Sequence, residues 1–213
     1  MYIEGDGQAW HSRTELSSDP TPSNPIGLKL AVLDPHPNIV YLARPCQYSS
    51  LRTDALCKDP AYWSGKRFSE EVIVSMNEAI DHFAAKVPSA KILLTGYSGG
   101  AGVAALIAAR RPDVALLRTV AGNLHSQGVS DHHRVSPLEG SLDPLDAAKS
   151  LSHLPQVHFV GTRDKVIPPS IAEDFKRSSG RTDCVQIVPV DGAEHAKGWE
   201  KEWPRLLEHR PVC

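Results

Sequence analysis

Short apolar runs that alternate with helical segments are the feature that most constrains the fold of this chain. The runs are four to seven residues long and rich in β-branched residues. Strands that are apolar on both faces belong to parallel sheets with helices packed on each side. The sequence therefore predicts a three-layer α/β/α sandwich with a mostly parallel sheet, formed as a single domain over residues 1–213. The runs are Ile92–Thr95, Val114–Val120, Val157–Val160 and Val185–Val190.

The segments between these runs carry helical patterns. After Ser69, apolar residues recur every three or four positions until Pro88, which predicts one amphipathic helix. Residues 122–148 are the only long stretch of the second half without a pattern, and we expect them to form a short lid or rim over a site. The remaining predicted elements are strands at Tyr2–Ile3 and Asn38–Ala43, and helices near Ile26–Leu33, Gly99–Arg111, Ser170–Arg177 and Trp199–His209.

Charge and composition exclude several classes of protein. The chain has 23 Lys and Arg residues against 25 Asp and Glu residues, for a net charge of -2. A general nucleic-acid or anionic-membrane binder would need a basic field, which this balance does not provide. No apolar run approaches the roughly 18 to 20 residues that a membrane span needs. We therefore expect neither a nucleic-acid partner nor a membrane span.

The segment Gly96-Tyr97-Ser98-Gly99-Gly100 matches the pattern G-x-S-x-G. The pattern alone is weak, since it arises by chance in about one chain in fifteen of this length. Here it follows a buried strand and opens a helix, which is the context that a nucleophile elbow requires. Glycines remove the Cβ atoms that would clash in so tight a turn, and the helix N-terminus favours a developing oxyanion. A glycine-rich turn with an incidental serine is the alternative.

A serine nucleophile needs a base, which in turn is oriented by a carboxylate. Asp164 and His195 each follow a predicted strand, and they occur in the order serine, acid, histidine that elbow-bearing folds show. Asp191 and Glu194 compete for the acid role but precede His195 too closely to reach round its ring. Asp164 as a simple turn cap is the alternative. The candidate catalytic set is Ser98, His195 and Asp164.

An oxyanion hole needs a second backbone N–H from a loop after another strand. The segment Glu4-Gly5-Asp6-Gly7 follows the first predicted strand and is the best candidate for that loop. The predicted donors are the amides of Asp6 and Gly99. An ordinary glycine turn is the alternative reading of this segment.

The elbow GYSGG with its flanking strand and helix, followed by GTRDKVIPP and GAEH, resembles the α/β-hydrolase fold superfamily. The start EGDGQAW, the stretch ARPCQY and the segment GNL make the chain similar to small bacterial serine hydrolases of the esterase type. The resemblance implies that EGDG stands where the superfamily has its HG oxyanion loop, with Glu4 in place of histidine. It also implies that Tyr2–Glu4 is the third strand of the fold. The first two strands would then be missing, which leaves a sheet edge for a possible homodimer.

The same resemblance implies an activity. The expected reaction is cleavage of a small-molecule carboxylic ester through an acyl-enzyme, with no cofactor. Peptidase and thioesterase activities use the same three residues and stay open. A non-catalytic binding protein with this fold is the alternative from another class.

Four cysteines are placed for two disulfides, Cys46–Cys57 and Cys184–Cys213. Disulfides would indicate a periplasmic or secreted protein, whose leader would be absent from this chain because no signal sequence is visible. Four free thiols in a cytoplasmic enzyme are the alternative. No C-x-x-C spacing occurs, and the histidines of the second half are not predicted to bind a metal.

Overall fold

A computed structural model describes residues 1–12, 14–49, 56–180, 183–211 and 213 of the chain, with the side chain of Leu56 left aside. The strands are β1 (Tyr2–Ile3), β2 (Tyr41–Leu42), β3 (Ile92–Tyr97), β4 (Val114–Val120), β5 (Gln156–Gly161) and β6 (Val185–Val190). The helices are α1 (Ile26–Val32), α2 (Glu70–Ala84), α3 (Gly99–Ala108), α4 (Ser126–His133), α5 (Ser170–Ser179) and α6 (Trp199–Leu206). Short 3₁₀ turns occupy Leu56–Lys58, Pro60–Trp63 and Pro144–Ala147.

The six strands form one sheet in the order β2-β1-β3-β4-β5-β6, and every neighbouring pair is parallel. The register joins Tyr2 to both Tyr41 and Thr95, so the short strand β1 lies inside the sheet. The backbone N–H of Glu4 continues the pairing by donating to the carbonyl of Leu42 at 3.0 Å. The predicted parallel sheet is confirmed.

Two hydrophobic cores lie on opposite faces of the sheet. One core joins α2, α3 and α5 to strand residues such as Ile3 and Leu94. The other joins α1 and α6 to Tyr2, Val157 and Phe159. Adjacent residues of a strand point to opposite faces, so Tyr2 and Ile3 enter different cores. The predicted three-layer sandwich is therefore confirmed.

Helix ends differ from the sequence-based prediction where proline acts. Helix α2 stops at Ala84, before Pro88, and α3 stops at Ala108, before Pro112. Proline lacks an N–H and disfavours helical backbone in the residue before it, so the chain leaves the helix early. None of the helices in the described residues combines the length and apolarity that crossing a bilayer would require.

Residues 122–148 are more ordered than the sequence suggested. They contain helix α4 and the 3₁₀ turn Pro144–Ala147. The carboxylate of Asp143 holds both, because it accepts hydrogen bonds from the N–H groups of Ser126, Gln127 and Leu145, each at 3.0 Å. An apolar stripe is the usual signal of a helix, and α4 lacks one because its buried residues are serines.

Both predicted disulfides are present. Cys46 and Cys57 are joined with an S–S distance of 2.09 Å, and Cys184 and Cys213 with one of 2.24 Å. The first pair packs with Ala9 and Trp63 in a small cluster of its own. Two disulfides are compatible with an extracellular location.

Candidate active site

Ser98 occupies a strained turn between β3 and α3. Its backbone has φ 50° and ψ -121°, in a region that L-residues rarely adopt. A Cβ at Gly96 would lie 2.4 Å from the carbonyl oxygen of Gly100, and a Cβ at Gly100 would lie 2.4 Å from that of Ile3. Glycine is therefore required on both sides of the serine. The turn is held by the N–H of Ser98, which donates to the carbonyl of Val120 at 3.0 Å.

The predicted residues Ser98, His195 and Asp164 form a continuous chain of hydrogen bonds. Ser98 Oγ lies 3.0 Å from His195 Nε2, and His195 Nδ1 lies 2.9 Å from Asp164 Oδ2. The second carboxylate oxygen of Asp164 accepts from the N–H groups of Val166 at 2.8 Å and Ile167 at 2.9 Å. The Asp164 side chain is fully buried, so its orientation is fixed on both sides.

The competing acids of the sequence lie in other interactions. Asp191 accepts a hydrogen bond from the hydroxyl of Thr162 at 3.3 Å, and Glu194 pairs with Lys197 at 3.4 Å. The structure therefore brings only Asp164, among these three acids, to the imidazole of His195 in the described part of the chain.

The backbone of His195 is positioned by two aromatic side chains. Its carbonyl accepts hydrogen bonds from Tyr97 Oη at 3.1 Å and from Trp199 Nε1 at 2.9 Å. Burial raises the pKa of Tyr97 above its ordinary value, and nearby carboxylates such as Glu4 add to that effect. The hydroxyl therefore stays protonated and able to donate. The sequence had placed Tyr97 only within the elbow, and this second contact was not predicted.

The contacts of Glu4 explain why a carboxylate stands at the start of the loop after β1. The side chain is buried, and its Oε1 accepts from the N–H groups of Gly5 at 2.9 Å and Gly27 at 3.1 Å. Its Oε2 accepts from the N–H of Leu28 at 3.2 Å and from Tyr41 Oη at 3.1 Å. Glu4 thus satisfies the free N–H groups at the start of α1 and fixes the loop to that helix.

Asp6 and Gly99, the two predicted oxyanion donors, lie against each other. A Cβ at Gly99 would be 2.0 Å from Asp6 Oδ1, so the carboxylate rests on the first residue of α3. Arg44 Nη1 donates to that oxygen at 3.0 Å, and Arg67 Nε lies 3.4 Å from Oδ2. A carboxylate beside an oxyanion would be repulsive, and the two guanidinium groups offset its charge.

The side chain of Gln47 also holds the loop that contains Asp6. Gln47 Nε2 donates to the carbonyl of Gly5 at 2.9 Å, while Gln47 Oε1 accepts from the N–H of Arg44 at 3.0 Å. Both residues belong to the ARPCQY stretch beside the Cys46–Cys57 disulfide. The sequence showed this stretch only as part of a resemblance, because nothing local indicates that it folds onto residues 42 positions away.

Ser98 lies between two hollows that share Asp6, Trp10, Arg67 and Val166. The larger, of about 600 Å³, is also lined by Asn123 and is called the Asn123 hollow here. The smaller, of about 450 Å³, is also lined by His195 and is called the His195 hollow. A further cavity of about 300 Å³ lies at the other end of the strands and contains none of the three hydrogen-bonded residues.

The predicted lid segment contributes to the Asn123 hollow through α4. Two histidines of the segment contact neighbouring residues. His125 Nδ1 lies 3.2 Å from Asp174 Oδ2, and His133 Nε2 lies 2.8 Å from the carbonyl oxygen of Val166. In the residues described, no group of three or more His, Cys, Asp or Glu side chains is placed to hold a metal ion.

Solved structures of low sequence identity share this fold. A serine hydrolase homologue from Coxiella burnetii is 19% identical, with 88% of this chain and 75% of that chain covered at a TM-score of 0.58. An Agrobacterium tumefaciens protein of unknown function, assigned to the α/β hydrolases, is 18% identical, with 88% and 74% covered at a TM-score of 0.55.

Other comparisons are less extensive. A puromycin-hydrolysing peptidase from Mycobacterium tuberculosis is 18% identical over 55% of this chain at a TM-score of 0.46, and the chain spans only 20% of that protein's length. No family model and no curated protein matches the sequence.

The sheet order, the elbow and the similar solved structures agree with one another. The chain has the α/β-hydrolase fold.

Proposed function

We propose that this protein is a serine hydrolase that cleaves a carboxylic ester of a small molecule. The observation that carries the proposal is the unbroken hydrogen-bond chain from Asp164 through His195 to Ser98. A serine on a surface loop seldom has a base at hydrogen-bond distance that is itself oriented by a buried carboxylate.

The two half-reactions follow from that geometry. Ser98 Oγ attacks the ester carbonyl while its proton passes to His195 Nε2, and Asp164 stabilises the imidazolium that forms. Collapse of the tetrahedral intermediate breaks the bond to the alkoxy oxygen, which takes the proton from Nε2. Water then attacks the acyl-enzyme with His195 as base, and release of the acid restores Ser98.

The oxyanion of each tetrahedral intermediate would be held by the amides of Asp6 and Gly99. The start of α3 lies directly after Ser98, so its free N–H groups and positive dipole end are close to the reacting carbonyl. Contacts of Glu4, Arg44 and Gln47 fix the loop that carries the Asp6 amide. Preorganised donors of this kind stabilise the charge without having to move.

Each of the two hollows would hold a different part of the substrate. Since His195 must give its proton to the leaving oxygen, the alcohol part belongs in the His195 hollow. The acyl part then extends from Ser98 into the Asn123 hollow.

A fluorophosphonate probe tests the proposal, because it reacts only with an activated serine. We expect covalent labelling of the wild type and none of Ser98→Ala. The matched control is Ser150→Ala, at an exposed serine whose hydroxyl donates to the carbonyl of Ala147, and it should be labelled like the wild type. Folded wild type that stays unlabelled would instead indicate a binding protein with this fold.

The bond that is cleaved needs a second measurement. Hydrolysis of ester, thioester and amide substrates with one acyl group would be compared by kcat/KM. We expect the ester to exceed the amide. A larger value for the thioester or the amide would replace the ester in the proposal and leave the three catalytic roles intact.

We also propose that the protein acts outside the cytoplasm, on the basis of its two disulfides. Mass spectrometry of alkylated protein, purified from its native cells without reductant, should show no free thiol. Four alkylated cysteines would contradict this location.

A further inference from the structure

Helix α4 turns a polar face toward the inside of the molecule. Its two buried residues are Ser126 and Ser130, which are 6% and 4% exposed and lie one turn apart. Both line the Asn123 hollow, together with Val129 and His133 of the same helix. A surface helix normally buries an apolar stripe, so buried serines facing a cleft need an explanation.

Asn123 adds an unpaired amide oxygen to the same hollow. The residue is 4% exposed, and its Oδ1 has no hydrogen-bond partner within the described residues. Ser126 Oγ is likewise without one in that part of the chain. Buried polar atoms are seldom left unpaired, so two beside a nucleophile point to a ligand that completes them.

The backbone fixes Asn123 next to the reacting atom. Its N–H donates to the carbonyl of Ser98 at 2.9 Å. This contact does not involve the side chain, so the amide is free to serve another purpose. A substitution at position 123 would keep the backbone contact and remove only the side-chain chemistry.

We propose that Asn123, Ser126 and Ser130 form a polar subsite that recognises a hydroxyl group on the acyl part of the substrate. The inference rests on the proposed function, because it assigns the Asn123 hollow to the acyl chain. An amide and a serine hydroxyl each offer both donors and acceptors, which suits a hydroxyl that donates one hydrogen bond and accepts others.

The rest of the hollow agrees with an uncharged, hydroxylated carbon chain. Val129, Leu138 and Ile167 supply apolar surface for its carbon atoms. Two charged side chains lie at the Ser98 end of the hollow. Arg67 Nε is 3.4 Å from Asp6 Oδ2, so the positive and negative charges offset each other. A hydroxyacyl ester therefore fits the hollow better than a plain alkyl ester.

The test compares p-nitrophenyl butyrate with its 2-hydroxy and 3-hydroxy derivatives, which differ by one oxygen atom. For the wild type we expect kcat/KM to favour the better hydroxylated ester by about 10- to 100-fold, since buried polar groups reject an analogue that leaves them unpaired. In Asn123→Leu, which has a similar volume, the ratio should fall to about 1. The fall in the ratio should come mainly from a lower kcat/KM for the hydroxylated ester.

Two variants serve as controls. Asn38→Leu changes an exposed asparagine outside both hollows and should keep the wild-type ratio. Ser126→Ala combined with Ser130→Ala should lower the ratio without altering position 123, and it replaces Asn123→Leu if that variant does not fold. Thermal unfolding should show Asn123→Leu at least as stable as the wild type, because an unpaired buried carbonyl oxygen is removed.

The outcomes separate the two proposals. Wild type that is labelled by a fluorophosphonate and hydrolyses plain esters, but has a ratio near or below 1, would overturn the polar subsite and leave the hydrolase intact. The same holds if a ratio above 10 is unchanged in Asn123→Leu and in the double serine variant. No labelling of the wild type would overturn the hydrolase itself.

Discussion

At the scale of the residue, the candidate site depends on a few side chains that the fold brings together. The order and spacing of Ser98, Asp164 and His195 were readable from the sequence, because each follows a strand that is visible as an apolar run. The side chains that line the cavity around Ser98 could not be identified from the sequence in the same way. Asn123 and Arg67 lie in segments with no local pattern, and only the folded chain brings them to Ser98.

Substitution of the buried carboxylate tests the orientation of the base. Asp164→Asn keeps an oxygen for the N–H groups of Val166 and Ile167 but no longer fixes the tautomer of His195. We expect kcat to fall by about 10³- to 10⁴-fold with the fold retained. Asp191→Asn, at an exposed acid that also precedes His195, should stay within about twofold of wild type. Equal losses in both variants would contradict the assignment of Asp164.

A buried histidine that lies outside the site determines part of the acid stability. His158 is fully buried in β5, its Nδ1 lies 2.8 Å from Thr119 Oγ1, and burial lowers its pKa from 6.5 to about 3. Between these values the unfolded chain binds a proton that the folded chain does not. The stabilising contribution is therefore complete above pH 6.5 and is lost as the pH falls toward 3.

Urea unfolding at pH 4.5 to 7.5 measures this contribution. For the wild type we expect His158 to add a slope of up to about 1.4 kcal/mol per pH unit below pH 6.5. In His158→Asn, which can still accept a hydrogen bond from Thr119, that component of the slope should disappear. The same pH dependence in both proteins would show that His158 titrates normally in the folded state.

At the scale of the element, helices and strands were predictable wherever burial leaves a periodic pattern. Strands β4 and β6 have the bounds that their apolar runs predicted. Helix α4 was missed because serines form its buried face, so no apolar period exists to detect. The failure falls on a helix that lines the Asn123 hollow and buries serines, so local apolar patterning could not reveal it.

Helix α1 depends on a residue from another element. Pro25 before it makes no side-chain capping bond, and Glu4 from the loop after β1 takes that role. Glu4→Gln would place an amide among N–H donors, and we expect it to lower the free energy of unfolding by about 1–3 kcal/mol. Glu173→Gln, at an exposed acid in the first turn of α5, should have a smaller effect. Chemical denaturation would contradict the role of Glu4 if the two variants lost equal stability.

At the scale of the whole molecule, sheet order is the feature that local patterns could not supply. An apolar run predicts a strand but does not name its neighbours. The resemblance identified β1 as the third strand of the fold, and its position between β2 and β3 came only from the structure. The disulfides were readable in advance because four cysteines allow few pairings and one pair spans a short loop.

The two disulfides should act differently on stability and activity. They close segments of 11 and 29 residues, which corresponds to about 3 and about 3.6 kcal/mol in the chain-entropy description. Replacing either pair with alanine should lower stability. Loss of Cys46–Cys57 should also lower kcat, because Arg44 and Gln47 beside it hold the Asp6 loop. An equal kcat in both double variants, measured well below their melting temperatures, would contradict that link.

The location of β1 inside the sheet has a consequence for how the protein is made. The N–H of Thr95 in β3 donates to the carbonyl of Met1 at 2.9 Å, although most of a hundred residues separate them along the chain. During synthesis β1 can pair with β2 first, and its other edge stays unpaired until β3 has been made. Gly100 packs on the carbonyl oxygens of Ile3 and Glu4, so the turn at Ser98 acquires its geometry only after β1 and β3 have paired. Under the proposed function, hydrolysis by a nascent chain would thus report completed folding of the sheet, with no need for a spectroscopic probe.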